Sequence, residues 1–209
     1  MTSNLRRFAM AATLAMALLA LPGVAQAKSF KCHGKAATIV GTSKADNIRG
    51  TSHRDVIVAG RGNDRIRGGG GDDVICAGAG KDRVSGGSGR DQVFGGSGDD
   101  VEHGDRGNDH LNGDSGDDNL NGDQGDDTID GDAGDDRCRG DSGDDHVNGD
   151  AGDDDVAGEQ GDDHVDGGPG HDREDGQLEP GDDHGANPQP GDDHGGAVQT
   201  GGDGSGGNA

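Results

Sequence analysis

The sequence predicts an all-β fold, a parallel solenoid in which two nine-residue units close one 18-residue coil. Three observations carry this. Gly and Pro supply 46 and 5 of the 209 residues, and Trp and Tyr are absent, so an ordinary large aromatic core is excluded. From Gly41 the chain divides into fifteen consecutive nonapeptides ending at Asp175, without insertion or deletion. In all of them the sixth residue is Asp, and in twelve the eighth is Ile, Leu or Val.

The phase is the strongest of these signals. Beyond residue 27 the chain holds 22 Leu, Ile, Val or Phe residues, and 13 of them, Ile39 to Val165, fall on one phase of nine. That is several-fold more than chance placement. A net charge of −24 and few aliphatics would otherwise describe a disordered acidic chain, but such a chain has no reason to keep register. A helix is excluded too. Nine residues make two and a half helical turns, so successive aliphatics would face opposite sides, and each interior Gly costs about 1 kcal/mol. What remains is a six-residue Gly-rich turn followed by a three-residue strand whose middle side chain points inward.

The chain reads in four parts. Residues 1–27 have the layout of a secretory signal: Arg6 and Arg7, an apolar run from Phe8 to Leu21, and Ala25-Gln26-Ala27 as a cleavage site. The run is too short for a membrane span, and none is expected in the mature chain. Residues 28–40 form an N-terminal cap segment, 41–175 the fifteen repeats, and 176–209 an acidic Gly/Pro-rich tail that loses the register and is expected to be disordered. The charge argues against nucleic acid as a partner, because a polyanion repels phosphates.

Units such as Gly86-Gly87-Ser88-Gly89-Arg90-Asp91-Gln92-Val93-Phe94 resemble the G-G-x-G-x-D-x-U-x nonapeptide of the RTX, or hemolysin-type, calcium-binding repeats. The segment Cys32 to Thr42 is similar to that of small stand-alone secreted actinobacterial members. The resemblance implies a right-handed parallel β-roll whose Gly-rich turns supply backbone carbonyls to calcium.

The residues themselves say why a cation is needed. Asp residues 18 apart stack along one edge, about 4.8 Å from each other. One edge carries Asp64, Asp82, Asp100, Asp118, Asp136, Asp154 and Asp172, the other Asp73, Asp91, Asp109, Asp127, Asp145 and Asp163. Charges at that spacing repel by roughly 3–4 kcal/mol per pair at an effective dielectric near 20. Calcium reverses the sign, since it takes 6–8 oxygen ligands in irregular geometry, whereas magnesium demands a near-ideal octahedron. These thirteen Asp are the candidate ligands, and the gaps between them allow about 11 ions at most. The first two units put Lys44 and His53 where Gly belongs and read as a poorly liganded cap.

Several residues break the pattern. Units eight to thirteen carry Asp at position two (Asp105, Asp114, Asp123, Asp132, Asp141, Asp150), and the fourteenth carries Glu159; a solvated face is favoured over added charge near the ions. Glu102 on the inward phase implies either that Val101 turns inward or that the roll hinges there. Cys32 and Cys76 either close a disulfide, as an oxidising destination favours, or remain thiols. Cys138 reads as a small buried hydrophobe or an intermolecular partner. His110, His146 and His164 at position seven should face outward.

No nucleophile elbow, zinc signature or phosphate loop occurs, so no enzyme is expected. The sequence therefore points to a secreted calcium-binding protein folded by multiple calcium ions, an extracellular structural or surface scaffold. A soluble calcium buffer, an adhesin module and an acidic spacer are the alternatives. Nothing in it names a protein or surface partner.

Overall fold

The computed structural model describes residues 30–175. The signal-like segment and the tail lie outside the described residues. Within them the chain is all-β, with no helix able to cross a membrane. Two eight-stranded parallel sheets face each other, and every strand pairs with the strand one full coil, 18 residues, away. In one sheet Ile39, Ile57, Ile75, Val93, Leu111, Ile129, Val147 and Val165 lie side by side. In the other the row is Ile48, Ile66, Val84, Glu102, Leu120, Cys138, Val156 and Glu174. The aliphatic members of these rows form one core between the sheets, and Cys138 sits in it as a buried free thiol.

The strands differ from the three-residue expectation. Most run six residues, as in Arg65–Gly70 and Gln92–Ser97. Pairing covers positions seven to nine, lapses at position one, and resumes at positions two and three, as in Arg65↔Arg83 to Gly70↔Ser88. The Gly-rich turn thus extends the ladder around the corner, because a loop stacked on identical loops can pair its own backbone groups.

Glu102 corrects both sequence expectations. It pairs in register with Val84 and Leu120, without a hinge. It is itself buried, while Val101 stays partly exposed on the outer side. The ladder hydrogen bonds on both sides hold the backbone phase, so the side chain has nowhere else to go.

A second, smaller core closes the N-terminal end. Cys32, Val56 and Val74 are buried, with Val58, Cys76 and Phe94 packed against them. Ahead of the strand Ile39–Val40, Cys32 packs on the outer-facing Val56 and Val74, with Lys31–Cys32 pairing antiparallel to Lys35–Ala36. The His33 ring stacks on Phe94, and Cys32 is disulfide-bonded to Cys76. The bond closes a chain separation of 44 residues, for which loop-closure entropy gives up to about 4 kcal/mol. Replacing both cysteines by Ser is expected to lower the thermal midpoint accordingly. An unchanged midpoint in calcium would show that this clamp contributes nothing.

Candidate metal centre

Both predicted Asp columns are present, and within each column successive Asp residues are in direct contact. Along one edge the backbone N–H of Asp64 donates to Asp82 Oδ1 at 2.7 Å, and the pattern repeats from each Asp to the one 18 residues on, through Asp154 to Asp172. The other edge repeats it from Asp73 to Asp163. Asp64 to Asp154 are at most 3% exposed. Asp163 and Asp172, the last in each column, are half-buried.

The two oxygens of each carboxylate therefore have separate situations. Oδ1 is held by the neighbouring coil. Oδ2 is buried without a hydrogen-bond partner in eleven of the thirteen, Asp64 through Asp154. Leaving a buried carboxylate oxygen unpaired is expensive. These oxygens face the inner side of the turn's first residue. Beside Gly104, for instance, Asp109 Oδ2 and the carbonyl oxygen of Gly122 each lie 2.6 Å from the point where a Cβ would sit. Gly113 and Gly122 show the same arrangement with Asp118 and Asp127. Ala59 and Ala77 take this position in the third and fifth units and are buried.

Among the described residues no three His, Cys, Asp or Glu side chains gather into a cluster. The donors are instead one carboxylate oxygen per turn with backbone carbonyls, an all-oxygen set suited to a hard cation that takes irregular geometry.

The electrostatics follow the burial. Burial raises the Asp118 carboxyl to about 8, against the N–H bond from Asp100 and with the charges of Asp100 and Asp136 adding to the rise. Asp109, Asp136 and Asp145 rise to about 7, and Asp73, Asp100 and Asp127 to about 6, with burial the main cause in each. Glu102 is pushed well above the carboxylate range by burial, then by Asp100 and Asp118.

The first two units behave differently, for a reason the sequence reading missed. Thr51 donates its N–H and its hydroxyl to Asp55 Oδ2 at 2.8 and 2.9 Å, and Thr42 does the same for Asp46. Thr38 also donates to Asp55 Oδ1. Although burial alone would raise the Asp55 carboxyl, these bonds hold it below its ordinary value. The cap is thus self-satisfied: Thr at position two takes up the oxygen that Gly units leave unpartnered. The visible signal was the repeated GTS at the head of both units.

The position-two acids are not a freely solvated face. Asp105 accepts from the Ser85 hydroxyl, Asp132 from Asn112 Nδ2 at 2.6 Å, and Asp123 lies 3.0 Å from His103 Nδ1. Each partner is the outward ninth residue of the strand before it in the same sheet, and only Asp114 and Glu159 of the seven acids are exposed. At the same position Gly96 has φ 105° whereas Asp114 has φ 65°, so the backbone shifts into the left-handed well that Asp tolerates. The position-seven histidines lie on the outer face as expected, with His146 and His164 stacked ring on ring.

No curated protein matches the chain. The family described as RTX calcium-binding nonapeptide repeat (4 copies) matches residues 36–66, 49–84, 68–102, 77–111, 103–138 and 139–174. Stacked 18-residue coils, paired Asp columns and all-oxygen turns agree with that match, and the chain belongs to the RTX calcium-binding nonapeptide repeat family.

Proposed function

We propose that this chain is an exported scaffold that calcium folds outside the cell, with Asp64 through Asp172 as the carboxylate ligands. The observation that carries the reading is the set of eleven buried, unpartnered Oδ2 atoms. Bound calcium supplies the positive charge that lets those oxygens stay buried. The Asp residues place one such oxygen in each gap between stacked turns, and the turn carbonyls stand beside it. Asp46 and Asp55 contribute no gap, because Thr42 and Thr51 already occupy their oxygens.

Export is supported by the charged, apolar and small-residue layout of residues 1–27 and by the Cys32–Cys76 disulfide, which fits an oxidising compartment. Extracellular calcium modules bind with a Kd of about 10⁻⁴–10⁻³ M per site, a range that leaves the chain unloaded where calcium is scarce.

The test takes chain recovered from culture medium, with its N-terminus read by mass spectrometry and its calcium counted by equilibrium dialysis against excess magnesium. The expected result is a start at Lys28 and about eleven calcium ions per chain, one for each unpartnered oxygen. An unprocessed chain confined to the cell would overturn export. A chain that retains no calcium against magnesium would overturn the metal reading.

A further inference from the structure

Glu102 occupies a position that other units fill with Ile, Leu, Val or Cys, except Glu174 in the last strand. It is fully buried, and neither Oε1 nor Oε2 has a hydrogen-bond partner. The carboxyl is not simply stranded in the apolar row. Oε1 lies 2.7 Å from the point where a Cβ on Gly95 would sit, and Asp100 Oδ2 lies 2.7 Å from that same point. The carbonyl oxygen of Gly113, one coil on, is 3.0 Å from it. Three oxygens therefore converge on one small space on the core side of Gly95, which the missing side chain leaves open. At Gly104, Gly113 and Gly122 two oxygens face the equivalent space, the Asp Oδ2 of the unit and the carbonyl one coil on. The charged groups around Glu102 are Asp100, Asp118, Asp114 and Asp82, all acidic.

We propose that Glu102 is a core-side ligand in the gap between Asp100 and Asp118, and that its extra carboxylate makes this the tightest calcium site of the roll. The proposal rests on the calcium reading above. A calcium site tightens with the number of charged ligands held in a rigid frame; the frame repeats in every gap, and here it holds one carboxylate more. Glu102 is fixed by ladder pairing to Val84 and Leu120, and Asp118 Oδ1 is held by the Asp100 N–H at 2.7 Å. The site so formed would load first on the way up a calcium titration and empty last on the way down.

The experiment titrates calcium into the full chain in competition with a chromophoric chelator, comparing wild type with Glu102→Gln and Glu102→Val. Wild type is expected to hold one ion at least about tenfold more tightly than the others. Both variants are expected to lose that ion and keep the rest. Val restores the residue type of neighbouring units, so far-UV circular dichroism of Glu102→Val in saturating calcium verifies the fold. A tight phase that survives in Glu102→Gln would show Glu102 to be a neutral buried acid and overturn the proposal. So would a wild type without a tight phase. If wild type and variants bind about eleven ions alike, only the Glu102 proposal falls; if none binds calcium, the metal reading falls with it.

Discussion

Removing calcium from the purified chain is expected to abolish its β signal at pH 8 and to leave more of that signal at pH 5. Without the ion, ordering the repeat region must be sustained by one thin row of aliphatics per sheet, while both edges repel themselves. The pH dependence follows from the shifted carboxyls. Asp118 at about 8, and Asp109, Asp136 and Asp145 at about 7, lie well above the ordinary carboxylate range. A carboxyl with a raised folded-state value binds more protons folded than unfolded. Its burial is therefore harmless below about pH 4 and increasingly unfavourable as pH climbs through 6 to 8. The calcium-free roll should weaken across that window. In calcium the slope reverses in sense: protons compete for the same oxygens, so the calcium midpoint should rise as pH falls from 8 to 5. Far-UV circular dichroism on metal-stripped chain and through calcium titrations at both pH values reads both trends, with concentration taken from peptide absorbance because Trp and Tyr are absent. A full β signal at pH 8 after metal removal would sink the idea that calcium folds the roll.

The second large effect is steric. Gly125, at the fourth position of its unit, has φ 132°, and a Cβ there would stand 1.9 Å from the carbonyl oxygen of Gly107 and 2.5 Å from its carbon. Both obstacles are backbone of the preceding coil, so no rotamer change relieves them. The strained φ alone is worth about 1–3 kcal/mol, and the collision must add to it by prying two coils apart. Gly125→Ala is expected to cost about 3 kcal/mol or more and to lower the midpoint in saturating calcium by about 6 °C or more. Gly96→Asp is the control: at its φ of 105° a Cβ on Gly96 would also meet a backbone carbonyl, that of Gly78 at 2.0 Å, but six units already carry Asp at that second position with φ of 65–73°, so the turn can shift to admit it. It should cost much less. A Gly125→Ala melt coincident with wild type would mean that the coils are not in the contact described.

The period of nine made the sheets, the register and the two Asp columns legible, because a repeat that buries one side chain per unit writes its geometry into composition. What escaped was whatever the repeat does not contain. Val56, Val58, Val74 and Phe94 lie off the inward phase, and only the folded cap segment reveals that they form a second core with Cys32. The inward burial of Glu102 was ambiguous for a related reason. A side chain's preference argues for expulsion, but ladder pairing on both sides fixes the backbone regardless. The division of labour between Oδ1 and Oδ2 lies below the residue level and has no sequence signature. Its exception does: Thr42 and Thr51 are the two places where a side chain and its own N–H replace the missing partner.

The stacking of 18-residue coils also makes one half of the roll a polyelectrolyte: residues 41–94 carry nearly balanced charge, whereas residues 95–166 are overwhelmingly acidic. The coil from Gly113 to Asp130 contains seven Asp and no Lys or Arg, and each coil advances only about 4.8 Å. With every carboxylate ionised, its line density is one negative charge per about 0.7 Å, against about 1.7 Å for double-stranded DNA. Two divalent ions per coil, one at each edge, would lower this to about one per 1.6 Å, close to that of DNA itself. Even loaded, the coils 113–130 and 149–166 keep a net negative charge, so that part of the rod retains mobile counterions and holds like-charged surfaces at a distance, whereas the nearly neutral coils from Gly41 to Phe94 do not.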